Sequence, residues 1–288
     1  MVKCNCCESL DVIKWGFNYV KDEKIQKYKC LACKKYFSFQ DRFPKHHVSD
    51  EIVSLAIDLY LEGLSYHLIA RHILDRFNLK IDHVTVYYWI QRYTDIMKKY
   101  VDTLNPELSV VWQMDETMID FKGRDAWCWD CIDTKTRFMI DMYLSITNDH
   151  YNGLKFFERI KKSVKTIPEV ITTDNHKAYL KPLKQHFPNA LHLNIKHISI
   201  KPNTSFIERF HGTVKNRTKT MRGFNEYASC QNWLTLFQVY YNFLRPHMAL
   251  GDKKNPITPA QEAGINIHLP KRWVSLIKLA SFFATKYN

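Results

Sequence analysis

The chain is 288 residues long, 45% hydrophobic, with a formal net charge of +13, which excludes a disordered chain and leaves room for one sizeable domain plus one or two small modules. No stretch approaches the ~18 uninterrupted apolar residues a membrane helix needs, and residues 1–20 hold no run suited to a signal peptide. A soluble, intracellular protein is expected, with no membrane contact and with polyanions such as nucleic acid as partners.

Residues 1–45 carry Cys4-x-x-Cys7 and Cys30-x-x-Cys33 among Trp15, Phe17, Tyr28, Tyr36 and Phe37. The chain has eight cysteines, and without a secretion signal paired C-x-x-C turns favour metal over disulfides. Two such turns complete a tetrahedral Zn2+ site, a zinc ribbon, and the spacer between them leaves room for a hairpin. Cys6 competes with Cys7, but the symmetric spacing favours Cys7.

Over residues 46–105 the periodicity is helical. Ser49-Asp50-Glu51 opens a helix with Ile52, Leu55, Ala56, Leu59 and Tyr60 on its core side, and Gly63 ends it. Ser65 caps a second helix carrying Leu68, Ile69, Ala70 and Ile73, and Asp82 caps a third through Val84, Tyr87, Tyr88, Ile90 and Tyr93. Three short helices with a glycine-containing turn predict a helix-turn-helix DNA-binding module. His83, Thr85 and Tyr88 would then meet base edges or phosphates, and Arg92 a phosphate. The alternative is a plain three-helix bundle between two domains.

From 109 the pattern is α/β. Strands are expected at 109–120, 126–133 and 137–144, then a helix over 150–162, a strand ending at Asp174, a helix through Tyr179 and Leu183, and a short strand at 190–193. An apolar helix with Trp233, Leu234, Leu236, Phe237, Tyr240 and Tyr241 should pack across the sheet. A mixed sheet with flanking helices over 106–250 has the element order of an RNase H-like domain, with 251–288 left as a helical tail.

Three acids stand out within it. Asp115 interrupts an apolar strand, Asp174 ends another, and Glu208 opens a basic helix. Carboxylates so placed can converge on a hard divalent cation, and two such ions suit phosphodiester chemistry, stabilising attacking and leaving oxygens together. Lys215 and His211 return to the Glu208 face of their helix and are candidate DNA contacts.

Met114-Asp115-Glu116-Thr117, Thr172-Thr173-Asp174-Asn175-His176-x-x-Tyr179, Asn203-x-x-x-x-Glu208-Arg209-x-His211-x-x-x-Lys215, Met221-Arg222-Gly223-Phe224 and Asn242-x-x-Arg245-Pro246-His247 together resemble the motifs of DDE insertion-sequence transposases. Those enzymes belong to the retroviral-integrase, RNase H-like superfamily. The resemblance covers about 109–264, and the front modules match those of some members. It implies that Asp115, Asp174 and Glu208 are the acidic triad, holding Mg2+ or Mn2+. It further implies cleavage of double-stranded DNA at element ends and strand transfer into a target, by a homodimer or larger assembly.

Among rival acids, strand alternation turns Glu116 from the Asp115 face and Asp120 is displaced along the strand, while Asp133 and Asp141 are expected at turns or on the surface. Cys128 and Cys131, three apart on a strand, cannot share a face and are expected in the core. The alternatives are a transposase-derived, non-catalytic DNA-binding regulator and a structure-specific RNase H-like nuclease.

Overall fold

A computed structural model describes residues 4, 7, 9–20, 23–38, 48–174, 176–194, 205–221 and 223–287. Of the residues singled out in the sequence, Cys6, Asn175, Asn203 and Arg222 lie outside these. Near the N-terminus β1 (Val12–Val20), β2 (Glu23–Cys30) and β3 (Tyr36–Ser38) make an antiparallel sheet in that order. Cross-strand pairing puts Val12 beside Cys30 and Tyr28 beside Phe37. These side chains join Cys4 and Cys33 in a small core of their own.

Three helices follow, each opened by the cap its sequence predicts: α1 (Asp50–Leu61), α2 (Tyr66–Phe77) and α3 (His83–Val101). The side chains of Ser49, Ser65 and Asp82 accept the amides of Ile52, Leu68 and Val84, satisfying donors that have no partner within a helix's first turn. The third helix runs past Tyr93, and its length has a use. Together with α1 it packs against α9 (Trp273–Tyr287), which follows the single turn of α8 (Pro259–Glu262) in the segment read as a tail, and Trp273 Nε1 donates to Asp58 Oδ1 at 3.0 Å.

The larger domain is built on β4 (Val111–Phe121), β5 (Arg124–Asp133) and β6 (Met139–Ser145), an antiparallel meander, extended by β7 (Val170–Thr173) and β8 (Leu191–Asn194) running parallel to β4. The strand order β6-β5-β4-β7-β8 is that of an RNase H-like sheet. Helices α4 (His150–Ser163) and α5 (Lys177–His186) cover one face, where Phe156 and Tyr179 contact Trp129. Helix α6 (Ser205–Thr220) lies against the other face of β4. Helix α7 (Tyr227–Val239) and the π-helical turn Tyr240–Leu244 run along β6, the sheet's edge. Gln231, Gln238 and Asn242 bond the backbone of Met139, Ile140, Met142 and Leu144, covering groups that an edge strand otherwise leaves open.

One continuous apolar core runs from α1–α3 through the sheet to α9. The far end of α6 fastens to the α1–α2 turn, where Arg217 pairs with Glu62 at 3.0 Å and lies over the Tyr240 ring. Gly63, at φ +96°, lies so close that an added Cβ would fall 1.8 Å from Thr220 Oγ1. Gly63→Ala is therefore expected to lower unfolding free energy by roughly 1–3 kcal/mol in urea denaturation. Gly123→Ala, also at positive φ but with open space at its Cβ, should cost less, separating the contact from backbone strain alone.

Candidate active site and metal centres

The register between strands decides where the acids fall. Strand β7 pairs with β4 only over Val111–Gln113, and Phe224 bridges the same edge at Phe121, so the edge of β4 is open between them at Asp115 and Glu116, and Asp174 follows the end of β7 at the same level. Asp115 pairs across β5 with Asp130 and Glu116 with Trp129, so Asp115 faces α6 and Glu116 faces α4 and α5. The alternation expected of Glu116 holds for its backbone. Its longer side chain nevertheless returns through the open edge, and carboxylate oxygens of Asp115, Glu116 and Asp174 all lie within 4.8 Å of one another.

Each acid is held differently. Asp174 Oδ1 accepts the amide of His176 at 2.9 Å, turning the chain into α5. Glu116 accepts from the Tyr179 hydroxyl and from Asn148 Nδ2 at 2.9 Å, with His176 Nδ1 3.7 Å away, and its side chain is only 7% exposed. Asp115 is more open, at 26%. Burial pushes the Asp115 carboxyl up to about 6; His211 opposes this, while the charges of Glu116 and Asp174 add to it. Half-buried carboxylates gathered this closely make an oxygen-donor set suited to a hard divalent cation.

His211 was expected to face DNA. Instead it is buried on the inner side of α6, with Nε2 3.0 Å from Asp130 Oδ2 and Nδ1 3.7 Å from Asp115 Oδ2. Burial works against its positive charge, but the hydrogen bond and charge of Asp130, with the charge of Asp115, outweigh it and hold the imidazole above its ordinary value. Asp130, fully buried, also accepts from Cys128 Sγ at 3.3 Å. This pair fixes Asp115 from behind. Only the pairing of β5 with β4, and of both with α6, makes Asp130 a partner of the site.

Glu208 is exposed on α6, one turn before His211, and stands outside the three-acid cluster. Lys215 is exposed two turns further along the same helix. The rival acids have structural partners. Asp133 and Asp141 are buried rather than superficial: Asp133 accepts from Thr136 N at 2.8 Å, and Asp141 takes two bonds from Arg159 at 2.7 and 2.8 Å. Asp120 accepts from Gly123 N. Cys128 and Cys131 are both in the core. On α3, Tyr88 is 64% exposed, Thr85 is half-buried nearby, His83 stacks on His67, and the Arg92 guanidinium lies over the Tyr93 ring.

The second centre is at the ribbon. Sulfurs of Cys4, Cys7, Cys30 and Cys33 come within 4.8 Å of one another, with Cys4–Cys33 at 3.6 Å and Cys7–Cys30 at 3.5 Å. A tetrahedron with Zn–S bonds of ~2.3 Å has sulfur–sulfur edges of ~3.8 Å. The donor set therefore fits zinc closely, and the amide of Cys33 points at Cys30 Sγ as a metal-knuckle turn requires.

A mixed five-stranded sheet with acids gathered at an open strand edge is the arrangement expected of a DDE-type domain. Residues 109–247 match the family model of the DDE domain. The chain is 28% identical over 123 residues to the transposase for insertion sequence-like element IS431mec of Staphylococcus aureus, a match spanning 42% of this chain and 54% of that protein. It is equally similar to the transposase for insertion sequence element IS257 in transposon Tn4003, also of S. aureus. The chain thus spans about half the length of these relatives. An uncharacterized protein of Methanocaldococcus jannaschii is 23% identical over 70% of this chain and 91% of its own length. Among solved structures, the catalytic core domain of HTLV-2 integrase in complex with magnesium overlaps 56% of this chain and 98% of its own, at 18% identity and TM-score 0.40. That of BIV integrase overlaps 54% and 93%, at 18% identity and TM-score 0.39. Residues 109–247 thus resemble a DDE domain, and the curated relatives that share this segment include insertion-sequence transposases.

Two outcomes test these centres. His211→Ala would strand the buried Asp130 charge, and is expected to lower stability by roughly 3–5 kcal/mol, with Asp130→Asn in the same background restoring part of it. Protein purified without chelator should carry about one zinc per chain by elemental analysis, and Cys30→Ser should abolish it, since a core this small needs the metal.

Proposed function

We propose that the protein is a transposase that binds the ends of its mobile DNA element, cuts them and joins the 3′-hydroxyl to target DNA. The acid cluster at the open edge of β4, inside a DDE domain, carries this reading. Asp115 and Asp174 hold Mg2+ or Mn2+, with Glu208 as the third ligand, reached from solvent on α6. Bound ions would offset charge on the attacking and leaving oxygens of a phosphodiester. Glu116, already fixed by Tyr179 and Asn148, positions the site from the α5 side. His211 and Asp130 hold the Asp115 carboxylate in place, and Lys215 meets a flanking phosphate.

His83, Thr85, Tyr88 and Arg92 lie on one end of α3 and would read or hold the element end. Two ends must be held at once, so the acting form is a homodimer or larger. No described helix is long and apolar enough to cross a membrane, and work on chromosomal DNA places the protein in the cytoplasm.

The test is cleavage and strand transfer of the inverted-repeat DNA flanking the coding region, with Mg2+. Asp115→Asn, Asp174→Asn and Glu208→Gln should each fall more than ~100-fold, beyond the cost of losing an outer partner, while folding and DNA binding persist. Glu116→Gln should lose no more than about tenfold, since its amide oxygen still accepts from Asn148 and its amide nitrogen can donate to the Tyr179 hydroxyl in turn. An inactive Glu116→Gln beside an active Glu208→Gln would transfer the third ligand to Glu116.

A further inference from the structure

The outer face of the ribbon sheet, opposite the four cysteines, is built unlike a solvated surface. Lys29 pairs across the sheet with Ile13 and Tyr36, and Lys27 with Ser38, all on the face away from Cys30, Tyr28 and Phe37. Trp15 and Tyr36 are each 47% exposed there, with ring centroids 5.7 Å apart and tilted at 60°, so neither ring covers the other. Lys29 Nζ lies 4.6 Å from the Trp15 ring and 5.2 Å from Tyr36, and Lys27 Nζ 5.0 Å from Tyr36. Phe17 is not part of this face. The irregularity between Lys14 and Phe17, with Gly16 at φ +73°, brings Phe17 opposite Gln26 on the other side.

We infer that Trp15, Tyr36, Lys27 and Lys29 form a platform for unpaired DNA, its bases stacking on the two rings and its phosphates meeting the two ammonium groups. The magnitudes favour exchange of partners. An exposed cation–π contact is worth ~0.5–1 kcal/mol, whereas a base stacked on an aromatic side chain is worth ~1–3 kcal/mol. An entering base displaces the lysine, which then has a phosphate to meet. Bases within a duplex are already stacked and leave the rings no partner. The inference rests on the transposase reading in one respect: cleavage at element ends is what would supply unpaired strand.

Anisotropy titration of the full-length, zinc-loaded protein with a fluorescein-labelled oligothymidylate of about 15 nucleotides tests it. Trp15→Ala and Tyr36→Ala should each weaken binding about tenfold, the order of one lost stack, with zinc content and duplex binding unchanged. Trp15→Phe should recover most of the loss, and Phe17→Ala should bind like the wild type. Unchanged affinity in the Trp15→Ala/Tyr36→Ala double variant, or an equal loss in Phe17→Ala, would overturn the platform. So would self-association by sedimentation that the double variant abolishes, since that assigns the face to a second copy. Cleavage assayed in parallel separates the two readings: cleavage without oligothymidylate binding refutes the platform alone, and Trp15-dependent binding in a chain that cleaves nothing upholds the platform and removes the catalytic reading.

Discussion

The candidate active site depends on where one parallel pairing stops. Had β7 continued along β4 past Gln113, the backbone of β4 at Asp115 and Glu116 would be bonded to a neighbour and their side chains kept on opposite faces. Because the pairing ends there, the edge is open, and carboxylates from both faces meet the one that follows β7. Such a cluster is unfavourable by itself: burial first, and then the charges of Glu116 and Asp174, raise the proton affinity of Asp115. Like charges gathered in a half-buried cleft are what a divalent cation relieves, so the same interruption that destabilises the bare cleft prepares it for metal.

Helix α6 converts this local feature into a property of the whole molecule. Midway along it His211 is wedged between Asp115 and Asp130, and at its end Arg217 and Thr220 meet Glu62 and Gly63 in the turn between α1 and α2. A displacement of the helical module along α6 would therefore bear on the carboxylate that His211 orients. The shared apolar core and the packing of α9 on α1 and α3 join these helices to the sheet. The ribbon has a different physics. Its own core is a few side chains around four sulfurs, too little to hold a fold without a metal staple.

Much of this was legible in the sequence. The caps Ser49, Ser65 and Asp82, the strand and helix order from β4 to α6, and the pairing of Cys4 and Cys7 with Cys30 and Cys33 all follow from local chemistry: a side-chain oxygen beside an unsatisfied amide, a hydrophobic period, a thiolate spacing. Asp115 and Asp174 were likewise readable as acids at strand positions.

What the sequence could not give was distance across the fold. Alternation correctly turned Glu116 away from Asp115, but only the open strand edge let its carboxylate return to the cluster. Helical spacing placed His211 near the Glu208 face, yet the packing of α6 against β4 turned its ring inward to Asp130, a residue whose part in the site no local signal announces. Asp133 and Asp141 read as turn or surface acids; Asp133 does open a turn, but Thr136 and Arg159, brought to the two carboxylates by that turn and by a helix, made burial possible. Local sequence determined which elements form and which chemical groups they carry. The tertiary structure decided which of those groups share a neighbourhood, because register, strand length and helix packing are set by the whole core and not by any one segment.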